Sequence, residues 1–242
     1  RLPDATLWLD PTLTLQRGQL RAIPVSELGL ALPLAPETKD LATVARPDAT
    51  RDRVAVVERF TPSAAGNDVV LTVRTDNDGA AADRARRDLK AQGREALQRR
   101  YIEYYRRRYG EVRETAALEI EDDETANRFS LIERYVLADP WQNATPGERS
   151  IETWGDSLSQ QVTLPDTVER KTPLALRHPF EVEQRVELTM PDGWQWRGED
   201  GDATLDDAAA EFRSLTQTKP GEIVRTQSYR SKTGVVDVDA IA

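Results

Sequence analysis

The residue types that usually carry covalent chemistry are nearly absent from this sequence. The chain has no cysteine and a single histidine, His178. Thiolate nucleophiles and zinc–cysteine sites are therefore excluded. A Ser-His-Asp triad could use His178, but the sequence contains no Gly-x-Ser-x-Gly turn that would present a serine to it. We interpret His178, which precedes Pro179, as a structural residue at the start of a strand.

Acidic clusters are the remaining candidates for a metal site. Residues 76–79 read Asp-Asn-Asp-Gly, but in an EF-hand register Arg74 and Ala85 would occupy the first and last ligand positions. We therefore predict that Asp78 is the N-cap of a helix. The carboxylates between residues 119 and 124 are typical of a solvated hairpin turn. We expect neither a metal nor a cofactor.

Two tryptophans, Trp194 and Trp196, are the candidate ligand-binding side chains. If they lie on a strand, alternate residues point to one face, and the two rings would form a platform for a sugar. The alternative is that both rings cover the core beside the turn at residues 191–193. Burial of large aromatic rings favours this second interpretation.

Charge and hydropathy limit the classes of partner. Arginines at residues 99–100 and 106–108 flank aromatic residues, which is a pattern that nucleic-acid sites use. The net charge of −9 argues against this role, because phosphate binding needs a positive surface. No apolar run approaches the roughly 18 residues that a membrane span requires. We expect no nucleic-acid partner and no membrane span, and since no signal peptide follows Arg1 we expect a piece of a longer protein.

The elements that must position these residues are mostly strands. β-Branched residues dominate residues 54–60 and 68–75, and residues 180–190 alternate between apolar and polar. Residues 80–109 contain no proline and carry opposite charges four apart, which predicts helix. Gly93 should divide this stretch into two helices and Gly110 should end it. The predicted fold class is α+β, a mostly antiparallel, sandwich-like β-sheet with one helical insertion at about 80–109.

Helical periodicity predicts which face of the insertion packs on the sheet. The apolar residues of its second half form two neighbouring rows, which comprise Leu97, Tyr101 and Tyr104 and then Ile102, Tyr105 and Tyr109. Arg99, Arg106 and Arg107 lie outside these rows and should remain in water.

Composition divides the chain into three regions, residues 1–45, 46–165 and 166–242. The first is rich in proline, which predicts short strands and turns. The second contains the helical insertion, and the third is β-rich. The last two regions form either two domains or one.

Several short motifs resemble one bacterial family. Residues 8–12 read Trp-Leu-Asp-Pro-Thr, which is similar to the closing motif of a transglutaminase-like core. Gln-Arg-Gly at residues 16–18 and Gly-Leu-Ala-Leu at residues 29–32 are similar to the sequence downstream of that motif in one family. This family carries the domain of unknown function 3857 ahead of a transglutaminase-like core, with β-rich sequence behind it. The similarity extends through Glu-Arg-Tyr at residues 133–135 to His-Pro at residues 178–179.

The resemblance implies a role for one residue and a place for the whole chain. Asp10 would be the third member of a Cys-His-Asp triad, whose cysteine and histidine would lie upstream of Arg1. The chain itself would be a non-catalytic accessory region of a periplasmic or envelope protein. It would pack on the upstream core and present a protein or peptide substrate. The alternative is an independent β-sheet binding module, for carbohydrate, and whether the parent protein is active stays open.

Overall fold

The computed structural model describes residues 7–25, 29–44, 52–142, 147–160 and 171–238, and the structural statements below refer to these residues. Both predicted region boundaries, after residues 45 and 165, lie outside the described residues. The strands are β1 (Leu30–Ala31), β2 (Ala42–Thr43), β3 (Asp52–Pro62), β4 (Val69–Gly79), β5 (Val112–Glu114), β6 (Glu119–Asp123), β7 (Arg128–Leu137), β8 (Leu174–Ala175), β9 (Glu181–Thr189), β10 (Gly201–Asp206), β11 (Ala210–Lys219), β12 (Glu222–Ser231) and β13 (Val235–Val236). The helices are α1 (Ala80–Gln92), α2 (Arg94–Tyr109) and the short α3 (Asp156–Ser159), with a 3₁₀ turn at Leu20–Ala22.

A nine-stranded sheet forms the body of the protein. Its order is β10-β11-β12-β9-β3-β4-β7-β5, and β6 also pairs with β7. Every neighbouring pair is antiparallel except β3 and β9, which run parallel from Arg53↔Glu181 to Phe60↔Leu188. The sheet thus takes strands from both the second and the third region of the chain. The two-stranded pairs β1–β2 and β8–β13 lie apart from it.

The strands alternate between buried and more exposed side chains, so the buried ones lie on one face of the sheet. The helices cover this face. On β3, Val54, Val56 and Phe60 are buried on the same side, and the paired strands continue that side. The resulting core combines strand residues with the inner face of α2; its fully buried members include Phe60, Val69, Leu71, Tyr135, Leu137, Phe180 and Val182. The α+β class, with a mostly antiparallel sheet and sandwich-like layers, is confirmed.

The helical insertion has the predicted extent. α1 ends at Gln92, Gly93 adopts φ +81° between the helices, and Gly110 caps the end of α2 with its N–H on the carbonyl of Arg106. Glycine is suited to these positions because other residues avoid positive φ. Along α2, the side chains of Leu97, Ile102, Tyr105 and Tyr109 are buried, whereas Tyr101 and Tyr104 are only partly buried. The predicted outer arginines Arg99, Arg106 and Arg107 are exposed.

The prediction that Asp78 caps α1 is wrong. β4 continues through residues 76–79, and Gly79 is the N-cap without any side-chain hydrogen bond. Asp78 instead accepts a 2.7 Å hydrogen bond from Arg128 on β7 and lies 3.6 Å from Arg53 on β3. The cross-strand arginines explain the difference, because they keep a buried carboxylate paired within the sheet.

The N-terminal segment is hydrogen-bonded to α1 and to the turn between β6 and β7. The N–H of Gly18 donates to the carbonyl of Glu124 at 3.0 Å, and the N–H of Arg17 donates to Oδ1 of Asp83 on α1 at 3.2 Å. Arg87, also on α1, donates to the carbonyl of Thr14 at 3.2 Å. These contacts hold residues 14–18 against α1 and the β6–β7 turn.

Candidate ligand-binding cleft

Two glutamates lie on the helix-covered face of the sheet, where the alternation calls for apolar side chains. Glu58 on β3 and Glu133 on β7 are both opposite Val73 of β4, so the three residues form one row across the strands. Since adjacent strands are about 4.8 Å apart, the two glutamate backbones are roughly 10 Å apart. Each glutamate is 7% exposed. The register therefore places two buried carboxyl groups on the same face of the sheet beneath α2, with the strand of Val73 between them.

Neutral hydrogen-bond donors surround Glu58. Its Oε1 accepts from the hydroxyl of Tyr105 at 3.2 Å, and its Oε2 accepts from Nε2 of Gln184 at 2.7 Å. Burial raises the pKa of Glu58, and the hydrogen bonds from Gln184 and Tyr105 and the charge of Arg108 act against that rise. Glu58 makes no ion pair with any described residue.

Fewer groups stabilise Glu133. The hydroxyl of Tyr135 donates to its Oε2 at 2.6 Å, and its Oε1 accepts no hydrogen bond from the described residues. Burial raises the pKa of Glu133 to about 7, the charge of Glu58 adds to the rise, and the Tyr135 hydrogen bond opposes it. Glu133 is thus a buried carboxyl with spare accepting capacity that titrates near neutral pH.

Both carboxyl groups face a cavity of about 560 Å³ between α2 and the sheet. Tyr101, Tyr104 and Tyr105 form the helical wall, and Val56, Val73 and Thr75 contribute to the sheet side. Arg100 and Arg107, which are exposed, lie on the rim together with Asp156 and Gln160. We call this space the α2 cleft. It combines an acidic floor, an aromatic wall and a basic rim, and its volume suits a small ligand or one peptide side chain.

A polar cluster holds one end of the cleft in place. Arg108 of α2 packs over the rings of Tyr104 and Trp154, 4.6 and 4.4 Å from their centroids, and forms an ion pair with Asp156. The hydroxyl of Tyr104 donates to Oδ2 of Asp156 at 2.6 Å. Gln184 also donates to the carbonyl of Trp154 at 2.8 Å. These contacts tie the segment around α3 to both α2 and β9 at one end of the cleft.

Asp10, the residue that the resemblance singled out, lies away from the cleft in the N-terminal segment. Its Oδ1 accepts from the N–H and the hydroxyl of Thr12, at 2.9 and 2.5 Å. Its carbonyl accepts from the N–H of Leu13 at 3.2 Å. These bonds stabilise the turn at residues 10–13, which precedes in sequence the segment that contacts α1.

The two candidate tryptophans lie in the loop between β9 and β10, not on a strand. Trp194 is partly buried and packs against Trp141, with the ring centroids 5.5 Å apart. Trp196 is 43% exposed and lies against the backbone of Gly198, with no space for a Cβ there. The two rings have different neighbours, and strand alternation does not relate them.

The remaining candidates have structural partners. Nδ1 of His178 lies 3.0 Å from Oγ of Ser231, but this serine is buried and accepts from the N–H of Phe180. Asp76 interacts with Arg74 and Ser130. The carboxylates at residues 119–124 are not confined to a turn as predicted, because Glu119–Asp123 pair with β7 as strand β6. Separate arginines pair with Glu119, Glu121, Asp122 and Glu124. Within the described ranges, no group of three or more acidic, histidine or cysteine side chains could hold a metal ion.

Comparison with known proteins does not identify the chain. No family model matches it, and no curated protein matches it at a significant level. None of the described helices is long and apolar enough to cross a bilayer. We therefore infer function from the α2 cleft and from the motifs in the sequence.

Proposed function

We propose that this chain is a non-catalytic accessory region of a transglutaminase-like protein of the bacterial envelope, and that it binds a protein or peptide substrate. The observation that supports binding is the α2 cleft, where two buried carboxyl groups and three tyrosines surround a cavity of about 560 Å³. Buried carboxyl groups without ionic partners destabilise a fold, so their presence beside a cavity favours a role in binding.

The hydrogen bonds of the N-terminal segment to α1 and to the β6–β7 turn support packing of this chain on an upstream core. Residues 14–18, which follow the Asp10 turn in the sequence, hydrogen-bond to Asp83, Arg87 and Glu124. In a transglutaminase-like protein this turn would close the catalytic core. The catalytic core would then lie next to α1 and the β6–β7 turn.

The proposal assigns no catalytic step to this chain. The chain has no cysteine, so the thiolate that attacks the substrate carbonyl in a Cys-His-Asp mechanism is absent. We predict no amidase, esterase or transamidation turnover by the isolated chain in continuous assays with a glutamine peptide, a small ester and an amine donor. Turnover that persists in Asp10→Ala but disappears in Glu133→Gln would contradict this prediction and place chemistry in the cleft.

A carbohydrate-binding module remains the second candidate, because Trp196 presents a partly exposed indole. Stacking on one exposed ring is a common element of sugar recognition. The two candidates place the ligand on different surfaces. Trp196 lies in the loop between β9 and β10, whereas the cleft lies between α2 and strands β3, β4 and β7.

Amide chemical-shift mapping tests the proposal. The ¹⁵N-labelled chain is titrated with a lysine-containing tripeptide, a glutamine-containing tripeptide and a neutral chito-oligosaccharide. We expect at least one peptide to shift the amides of Tyr101, Val73 and Glu133, with the amides around Trp196 unaffected. Shifts around Trp196 with the oligosaccharide alone would support the carbohydrate module. If neither peptide shifts the cleft amides, the proposed substrate binding is wrong.

A further inference from the structure

The floor of the α2 cleft contains two buried carboxyl groups that have no cationic partner among the described residues. Among the described residues, neither Glu58 nor Glu133 forms an ion pair, and Oε1 of Glu133 accepts no hydrogen bond. The charge of Arg108 acts on Glu58, but Arg108 forms its ion pair with Asp156. A buried carboxylate is strongly stabilised by a cation at hydrogen-bond distance. The floor is therefore complementary to a positively charged ligand group.

The wall of the cleft favours an apolar stem next to the charged group of the ligand. Tyr101, Tyr104 and Tyr105 line the cavity with aromatic carbon. Arg100 already lies over the ring of Tyr101 and Arg108 over that of Tyr104, 5.5 and 4.6 Å from the centroids, so the wall offers a ligand apolar contact and no free cation site. Tyr104 and Tyr105 pack edge to face, with centroids 4.9 Å apart. An aromatic wall above paired carboxylates matches an alkylammonium group, whose methylene stem is apolar and whose head is charged.

The number of available acceptors distinguishes an ammonium from a guanidinium. Glu58 already accepts one hydrogen bond on each oxygen, whereas no described residue donates to Oε1 of Glu133. An ammonium has three donors that can rotate to suit the available oxygens, but a guanidinium has five in a fixed plane. A guanidinium would leave more buried donors unpaired, and each of these costs free energy.

The basic rim indicates what carries the ammonium. Arg100 and Arg107 lie at the opening and would repel a free cation. A peptide offers backbone carbonyls that these arginines can bind while its side chain extends to the floor. We propose that the α2 cleft binds the side-chain ammonium of a lysine residue in a protein or peptide, with Glu58 and Glu133 as its acceptors. This inference rests on the proposed binding role of the cleft.

Lysine binding in the cleft should depend on pH. The ammonium is attracted only by ionised carboxylates, and burial raises the pKa of Glu133 to about 7. Affinity should therefore increase as pH rises through this range, until the lysine itself loses its proton near about 10.4. The other charged or titratable groups that face the cleft or act on its two glutamates are Glu58 from β3, Tyr135 from β7, Arg100, Tyr101, Tyr104, Tyr105, Arg107 and Arg108 from α2, and Asp156 from α3.

Isothermal titration of the 242-residue chain tests the inference with matched probes. The probes are N-acetyl-Ala-Lys-Ala-amide, its norleucine analogue, which lacks only the amine, and n-butylamine. We expect the lysine peptide to bind at least about tenfold more tightly than either other probe. Its affinity should rise between about pH 6 and pH 8, with proton release into the buffer.

Two cleft variants and one surface control complete the test. Glu133→Gln keeps an acceptor for Tyr135 but removes the charge, and should weaken lysine-peptide binding about tenfold or more. Tyr101→Leu shortens the aromatic wall without touching the Tyr104–Arg108–Asp156 cluster and should also weaken lysine-peptide binding. Glu103→Gln removes an exposed carboxylate from the outer face of α2 and should change nothing.

The possible outcomes separate this inference from the function on which it rests. Equal binding of the lysine and norleucine peptides would overturn the lysine inference and leave peptide binding intact. If n-butylamine binds as tightly as the lysine peptide, the claim that the ammonium belongs to a peptide or protein is wrong. Absence of binding by every peptide would overturn both the inference and the proposed function.

Discussion

A buried carboxyl group usually has a cation or several donors beside it, because ionisation in a low-dielectric environment is costly. Among the described residues, Glu133 has one donor, the hydroxyl of Tyr135, and a second buried carboxyl group in the same row of the sheet. Its proton is therefore retained to higher pH than that of an ordinary glutamate. This property links the stability of the fold to the ionisation state of the cleft.

The titration of Glu133 predicts how stability changes with pH. Its pKa rises from 4.5 to about 7 on folding, so between these values the folded state binds more protons than the unfolded state. The contribution of Glu133 to the unfolding free energy is therefore fully present below about pH 4.5. It is lost as the pH rises through about 7. The difference of 2.5 units corresponds to about 3 kcal/mol.

Urea unfolding at a series of pH values checks this prediction. Between about pH 4 and pH 8, the wild-type protein should lose about 3 kcal/mol more of its unfolding free energy than Glu133→Gln. Glu58, whose pKa is raised in the same direction, is present in both proteins. Glu103→Gln should behave like the wild type. Parallel pH profiles for wild type and Glu133→Gln would mean that Glu133 is ionised without penalty.

The sequence does contain a signal for these two glutamates. Glu58 replaces an apolar residue in the alternation of Val54, Val56 and Phe60, and Glu133 does the same between Leu131 and Tyr135. Sequence reasoning missed them because a charged residue on a strand is more often at the solvated face. Their proximity depends on the register of β3, β4 and β7, which residue patterns do not specify.

At the scale of single elements, α2 connects the core to the cleft. Tyr105 is 5% exposed, packs against Tyr135 with a centroid distance of 5.2 Å and donates to Glu58. We predict that Tyr105→Ala lowers the unfolding free energy by about 3–5 kcal/mol, the range for large aromatic deletions. Arg99→Ala, on the exposed face of the same helix, should change it by less than about 0.5 kcal/mol. The reverse order in urea titrations would mean that α2 packs through its basic face.

The junction between α1 and α2 offers a separate test of backbone conformation. Gly93 has φ +81° and ψ 157°, and a Cβ built there meets nothing within 4 Å. Any cost of Gly93→Ala therefore comes from the backbone, and we expect about 1–3 kcal/mol in thermal or urea unfolding. Gly201→Ala is the matched control, because its Cβ is equally free of contacts and its φ is not positive. Equal effects of the two substitutions would argue against the positive φ at Gly93.

Elements with strong periodicity were predictable, and those that depend on pairing were not. The absence of proline and the charge spacing at residues 80–109 indicated both helices, and Gly93 marked their boundary. In contrast, β10 at Gly201–Asp206 is fully exposed along its length and shows no apolar alternation. It is a strand because it pairs with β11, which is a tertiary effect. Asp78 was misassigned for the same reason, since only the folded sheet brings Arg128 beside it.

At the scale of the whole molecule, the parallel pairing of β3 with β9 joins the two halves of the chain. Strands from residues 52–137 and strands from residues 181–231 form one continuous sheet. Gln184 on β9 donates both to Glu58 on β3 and to the carbonyl of Trp154. Sequence patterns left open whether these regions are one domain or two, because a parallel pair between distant segments has no local signal.

The shared sheet predicts that the two halves unfold together. β3 and β9 pair over eight residues, and Phe60 and Val182 belong to the same buried cluster. Separating the halves would expose this cluster and break the central ladder, so neither half should retain its structure without the other. We therefore expect the far-ultraviolet circular dichroism and the tryptophan fluorescence to show one urea transition with a single midpoint.

Gln184→Leu, which leaves Oε2 of Glu58 without its donor, should lower that midpoint by an amount equivalent to about 1–3 kcal/mol while both signals still coincide. Two transitions with separate midpoints in the wild type would instead identify independently folding domains, and the β3–β9 ladder would then be a weak interface.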